Sequence, residues 1–433
     1  MNLSAHNIIS QTENRQYFVY NLLTGHADIL EIPEYEALLA VNTNHELAET
    51  FKEKGYWNKP EEENQLFRQA YMDFLDNRDK EEIQVFYVPA YHCNFSCSYC
   101  YQLEYSKPVI ENQAEVIPAF FDYLKHHFGN RRKYVTLFGG EPLLPGTKNK
   151  EVIAGFTEKC RENNMELAVV TNGYLLSEYL DILQKARIRE IQVTLDGTEE
   201  VHNLRRKLNN GQGTFNKIVQ GIDQALERKI PVNLRVVVDK ENINNLPHLA
   251  RYAINKGWTG NPLFKTQLGR NYELHTCSQD SAKLFSRIGL WNEVYALLKK
   301  YPDIADFHQP AFSVSRFLSE NGTLPDPLFD ACPGTKTEWA FDYTGHIYSC
   351  TATVGKKDES LGTFYPGVSL NEDMVSDWED RDVLSIEKCK SCHLQLACGG
   401  GCASVAKNNH GQINAPDCRP VKELLELGTN YYF

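Results

Sequence analysis

From about residue 85 the chain alternates short apolar runs with amphipathic stretches, a pattern that predicts parallel strands joined by crossover helices. The strand candidates are 83–88, 134–138, 167–171, 190–194, 232–238 and 262–267, and apolar residues at helical spacing fall between them over 114–127, 177–186 and 214–228. Six such units predict an α/β fold, a partial (β/α)6 TIM-type barrel with reactive groups in loops at the carboxyl ends of the strands. Ahead of it, 17–22 and 27–32 alternate around Thr24-Gly25-His26 and read as a hairpin. Helical spacing follows over 34–41, 45–55 and 64–77, with Gly55 placed to end a helix. Beyond about 325 the periodicity is poor and cysteine dominates. Three segments result, 1–84, 85–325 and 326–433, the last held by metal more than by apolar burial.

Composition narrows the function. With 42% apolar and 24% charged residues, the 433-residue chain is an ordinary folded protein rather than a disordered or fibrous one. A net charge of -12 argues against nucleic acid as a partner. The first residues lack a basic and then apolar signal segment, and no apolar run approaches the roughly 18 residues of a membrane span. Those readings place the protein in the cytoplasm, where thiols stay reduced, so its 12 cysteines call for an explanation other than disulfides.

Cys93-x3-Cys97-x2-Cys100 follows directly on the first barrel strand. Three thiolates on one tight loop can hold three irons of a 4Fe-4S cube and leave the fourth open to a ligand; a zinc ion would want four closed ligands instead. Phe138-Gly139-Gly140-Glu141-Pro142 follows the second strand. Its glycines allow close approach to a ligand and Glu141 can accept from an ammonium, although a glycine turn before proline is the plainer reading. Asn172 stands before Gly173 as a ligand candidate or simply a turn. Thr194-Leu195-Asp196-Gly197 closes the fourth strand, and Arg206 downstream is either a ligand residue or a surface salt-bridge arginine.

These motifs resemble the radical S-adenosylmethionine (SAM) superfamily. The resemblance implies that Cys93, Cys97 and Cys100 ligate a catalytic 4Fe-4S cluster, that Tyr99 packs near the adenine, and that Gly139, Gly140 and Glu141 bind the methionyl amino group. It further implies that Thr194 and Arg206 contact the carboxylate, with Asn172 nearby. One-electron reduction in that family releases a 5'-deoxyadenosyl radical, the electron coming from a donor such as flavodoxin or ferredoxin.

The late cysteines run Cys332-x12-Gly345-x4-Cys350, then Cys389-x2-Cys392-x5-Cys398-x3-Cys402, then Cys418. This series is similar to the SPASM extension of radical SAM enzymes, and a pair of zinc sites is the competing reading. The resemblance implies one auxiliary 4Fe-4S cluster on Cys389, Cys392, Cys398 and Cys418 and another on Cys332, Cys350 and Cys402. No cysteine stands in 324–329, so the fourth ligand of the second is Cys277, a substrate thiolate or none. Cys160 reads as a buried apolar residue.

The hairpin and three helices resemble, in outline, the winged-helix leader-recognition domain of peptide-maturing enzymes, which adds the leader as a strand to its sheet edge; a structural cap on the barrel is the alternative. The substrate implied is a peptide or protein, with or without a leader. The reaction is maturation, by crosslinking, of a ribosomally made peptide, with formation of formylglycine from Cys or Ser in a sulfatase as the second reading.

Overall fold

The computed structural model describes residues 1–100, 102, 113–270 and 281–433. Three antiparallel strands open the chain, β1 (Asn7–Gln11), β2 (Tyr17–Asn21) and β3 (His26–Leu30), in that spatial order. The predicted hairpin is therefore the second half of a three-stranded sheet. Asn7-Ile8-Ile9-Ser10-Gln11 is short and polar at both ends, so its pattern alone does not announce β1.

Helices α1 (Ile32–Leu39), α2 (Ala48–Glu53) and α3 (Pro60–Lys80) follow. Gly55 lies just past α2 with a φ of 71°, where a left-handed residue ends a helix most cheaply. None of the α3 side chains is fully buried, yet Phe67, Tyr71 and Phe74 surround Phe329 with ring centroids 5.2, 5.2 and 5.5 Å away. The Tyr71 hydroxyl donates to Asp382 at 2.7 Å. Through these contacts α3 docks on the cysteine-rich segment.

The barrel strands are β4 (Ile83–Val88), β5 (Lys133–Leu137), β6 (Leu167–Thr171), β7 (Ile188–Thr194), β8 (Val232–Val238) and β9 (Phe264–Arg270), neighbours in chain order and all parallel. Helices α4 (Gln113–His127), α5 (Thr147–Glu162), α6 (Leu176–Leu183), α7 (Glu199–Arg205), α8 (Phe215–Glu227) and α9 (Leu246–Asn255) lie between them. Val85, Tyr87, Val135, Leu137, Leu167, Val169, Ile191, Val193, Val232 and Leu234 are buried in one core with the inward stripes of these helices. Alternation turns the intervening residues to the barrel interior. That is why Thr136, Gln192, Thr194, Asn233 and Arg235 share the opposite face.

The segment after 325 differs from the expectation. Following α10 (Arg287–Lys300), strand β10 (Glu338–Asp342) runs parallel to β4, pairing Trp339 with Val85 and Phe341 with Tyr87. β11 (His346–Tyr348) and β12 (Ser360–Thr363) extend the sheet antiparallel. Trp339 and Phe341 join the barrel core, with Phe341 5.2 Å from Phe120 between ring centroids. Apolar burial thus anchors this segment as well as its cysteines, and five residues of strand between turns are too few for periodicity to reveal. Helices α11 (Glu372–Glu379), α12 (Ala403–His410) and α13 (Val421–Tyr432) complete the chain. No helix of the described residues is long and apolar enough to cross a membrane.

Candidate active site

The loop after β4 carries Cys93, Cys97 and Cys100, and backbone bonds fix it against the segment after α7. Ser96 N donates to Lys207 O at 3.0 Å, Asn209 N to Asn94 O at 3.0 Å, and Asn209 Nδ2 to Cys93 O at 3.1 Å. Burial raises the Cys93 thiol to about 12, with Glu141, Cys97 and Cys100 adding to the rise. Burial likewise raises Cys97 to about 11, opposed by Arg206. The three sulfurs therefore share one neighbourhood, and without a positive ligand Cys93 and Cys97 stay protonated.

Gly140 is required by this loop. A Cβ there would stand 2.3 Å from both Tyr91 O and His92 O, and one on Gly139, whose φ is +132°, would meet Ala90 O at 2.8 Å. The two glycines thus admit the cysteine loop itself. Glu141, 1% exposed, accepts from Leu143 N at 2.8 Å, Thr171 Oγ1 at 2.5 Å and Asn172 N at 2.6 Å. Burial still holds its carboxyl above the usual range. Asn172 is more than a turn residue: its Nδ2 donates to Asn94 Oδ1 at 2.8 Å and lies 3.8 Å from Cys93 Sγ.

On the other side of the loop stand Tyr99, Asp196 and Arg206. The Tyr99 hydroxyl donates to Asp196 Oδ2 at 2.5 Å and accepts from Arg206 Nη1 at 2.5 Å. Arg206 is 8% exposed, and its buried Nε finds no acceptor among the described residues. The surface salt bridge falls instead to the preceding residue in altered form: Arg205 is buried and pairs with Asp239 at 2.9 Å. Behind Arg206, His202 Nδ1 accepts from Asp196 N at 3.2 Å, so its Nε2 carries the proton toward Thr214 Oγ1 at 3.0 Å. Thr214 in turn donates to Arg206 O at 2.5 Å. Burial, then Arg206 and Arg205, hold His202 well below its ordinary pKa and keep it neutral.

Thr194 is buried at the end of β7, in register with Arg235 on β8. Sequence reasoning passed over Arg235, whose Nη2 lies 3.2 Å from where a Cβ of Gly269 would be. Its position three residues before the strand end, on the interior face, was the available signal. Tyr91 was also missed. It donates to Asp342 Oδ2 at 2.6 Å, which Tyr348 also reaches at 3.1 Å, closing the β4–β10 half of the interior with Phe86, Val88 and Phe138.

The late cysteines fall into two sets. Burial raises Cys389 to about 11, with Cys398, Cys392 and Cys418 adding. Burial raises Cys350 to about 12, with Glu338, Cys332 and Cys402 adding. Cys160 is buried in α5, and Cys277 lies outside the described residues. Among the described residues no three His, Cys, Asp or Glu side chains stand close enough to hold a single metal ion. A cube spreads its thiolates over four irons and asks for wider spacing than zinc does.

A model of the Radical SAM superfamily matches residues 87–253. Residues 87–253 are a radical SAM domain. Such a domain takes a 4Fe-4S cluster and SAM, and the residues fit both: three grouped thiols, and a buried guanidinium with a free donor for an anionic group. The cysteine-type anaerobic sulfatase-maturating enzyme of Clostridium perfringens (strain 13 / Type A) is 23% identical over 364 residues, covering 78% of this chain and 90% of that one. A GTP 3',8-cyclase of Campylobacter fetus subsp. fetus is 29% identical over 170 residues, so the chain spans only 50% of its length. Among solved structures, native anSMEcpe with bound AdoMet and Cp18Cys peptide aligns with a TM-score of 0.62 at 19% identity, over 81% of this chain and 98% of that one. Streptococcus suis SuiB aligns with a TM-score of 0.55 at 16% identity, over 97% of this chain and 99% of that one. These two likenesses show a shared fold that extends beyond residues 87–253.

Proposed function

We propose that this chain is a radical SAM maturase that modifies, by crosslinking, a ribosomally synthesised peptide in the cytoplasm. When bound, SAM supplies a hydrogen-abstracting radical on one-electron reduction by a donor such as flavodoxin or ferredoxin. Cys93, Cys97 and Cys100 hold the catalytic cluster. Glu141, with Gly139, Gly140 and Asn172 beside it, takes the cofactor's amino end. Thr194, Arg206 and Arg235 take its carboxylate, while the Asp196–Tyr99 pair orients Arg206 and keeps it from collapsing onto a thiolate. The late cysteines hold two auxiliary clusters.

One observation carries this reading: the buried Arg206, its Nε without an acceptor among the described residues, stands beside Cys97 at the carboxyl ends of the strands. A buried cation with an unmet donor is costly unless an anion arrives to meet it. Support for a peptide substrate comes from β3, an edge strand of the N-terminal sheet that an added leader strand could extend. It comes also from the SuiB alignment, which takes in nearly the whole chain, whereas the anSMEcpe alignment leaves about a fifth unmatched. SuiB has a structure bound to a precursor peptide, SuiA.

Sulfatase maturation is the second reading, favoured by a match over 90% of the C. perfringens enzyme. Anaerobically reconstituted protein should contain about twelve irons as three four-iron clusters and yield 5'-deoxyadenosine. Incubation with a short peptide encoded beside the gene, and separately with a Cys- or Ser-containing sulfatase peptide, separates the readings by mass. Loss of two hydrogens as a crosslink supports the first, and formylglycine on the second peptide overturns it.

A further inference from the structure

Arg381, two residues past the end of α11, is 1% exposed and its side chain is enclosed by main chain. Nε donates to Ile413 O at 2.7 Å, Nη1 to Gly401 O at 3.1 Å, and Nη2 to Gly400 O at 2.9 Å and Ala415 O at 3.0 Å. These acceptors belong to two loops. Gly400 and Gly401 lie between Cys398 and Cys402, which fall in different cysteine sets, and Ile413 and Ala415 lie just before Cys418. One guanidinium therefore ties together the backbones that present cysteines to both sets.

The charges around it do not balance. Asp330 lies 3.7 Å from Arg381 Nη1 but is already engaged by Lys336, also buried, whose Nζ further donates to Arg381 O at 2.9 Å. Among the described residues Asp330 is the one carboxylate in ion-pair contact with either cation. Two buried cations thus share one buried anion, and an excess positive charge out of water costs several kcal/mol unless something negative answers it. Cys332, whose N donates to Asp330 at 3.0 Å, and Cys398, Cys402 and Cys418, carried by the loops that Arg381 binds, are groups able to do so as thiolates.

We infer that Arg381 is the shared counter-charge and positioning residue of two auxiliary iron-sulfur clusters. Its fork holds the Cys398–Cys402 and pre-Cys418 loops in register, and its charge makes each cluster easier to reduce by one electron, since net charge and burial set such potentials. This rests on the proposed reading that the late cysteines hold clusters.

The test uses full-length protein with Cys93, Cys97 and Cys100 all changed to Ala, so that only the late centres remain, reconstituted anaerobically and titrated with redox mediators under electron paramagnetic resonance. An iron-free product here overturns the cluster reading itself. In the loaded protein, Arg381→Gln should move both midpoints negative by tenfold or more in the reduction equilibrium, about 59 mV, and a shift confined to one of them overturns the sharing. Arg381→Lys should restore most of that shift. Midpoints unmoved by Arg381→Gln, or as negative in Arg381→Lys, overturn the counter-charge. Should Arg381→Gln fail to load, Lys336→Met removes the other buried cation and is read the same way: a negative shift supports the inference and an unmoved midpoint sinks it.

Discussion

The chain gathers thiols in two places, and the two are built on opposite terms. The first loop rests on the carboxyl end of a barrel strand, pinned by main-chain bonds, with a buried charge beside it that is left short of partners: among the described residues Arg206 Nε has none. In the C-terminal array Gly399, Gly400 and Gly401 turn with φ of 59°, 71° and 71°, and the central cation, Arg381, places Nε and both terminal nitrogens on carbonyls. Unmet donors mark where a ligand arrives. Satisfied ones mark a scaffold that only has to hold, so the open site belongs to the first region.

That contrast is broken most sharply by removing one cysteine from each. Cys97→Ala should abolish 5'-deoxyadenosine formation, measured by chromatography after anaerobic reduction, whereas folded Cys398→Ala should still cleave SAM. Equal loss in both would mean that the array takes part in the cleavage. Next in size is Arg206→Gln. Removing a buried charged donor costs about 1.5–3 kcal/mol, so SAM should bind roughly 10- to 100-fold more weakly by equilibrium dialysis, with iron content unchanged. Unaltered affinity would make Arg206 a structural residue and return the site to a less specific reading.

The barrel was legible because short strands rich in β-branched and aromatic residues recur between amphipathic helical stretches. Expectation and structure coincide at 83–88, 167–171 and 232–238. The cysteine loops were legible because spacing survives without any knowledge of the fold. Partner choice was not. Arg205 and Arg206 are adjacent in sequence, and only the helix that carries them decides that one meets Asp239 and the other Tyr99. Arg381 gave no local signal at all, since every group it binds lies 19 or more residues away. β10 stayed hidden because its partner, β4, precedes it by some 250 residues.

Glycine substitutions sharpen the comparison at a smaller scale. Gly401→Ala sets a Cβ 2.0 Å from Asp417 O on a backbone with φ of +71°, combining a clash with left-handed strain of about 1–3 kcal/mol. Gly140→Ala meets Tyr91 O and His92 O at 2.3 Å without the positive φ. Both should lower the melting temperature of the metal-free chain, Gly401→Ala by more, and each should reduce iron loading only in its own region.

The smallest effect is one of pH. Burial and two arginines hold His202 neutral in the folded chain, while the unfolded chain takes up a proton below its ordinary value near 6.5. Its contribution is therefore present above that value and is lost as pH falls, by at most about 1.4 kcal/mol per pH unit. His393 and His410 beside the array are exposed. Acidification of the metal-free protein from pH 7.5 to 5.5 should accordingly lower hydrogen-exchange protection, measured relative to the intrinsic rate at each pH, in the 196–214 segment before it does so in 398–418. Faster exchange of the array first would reverse the ordering of the two regions.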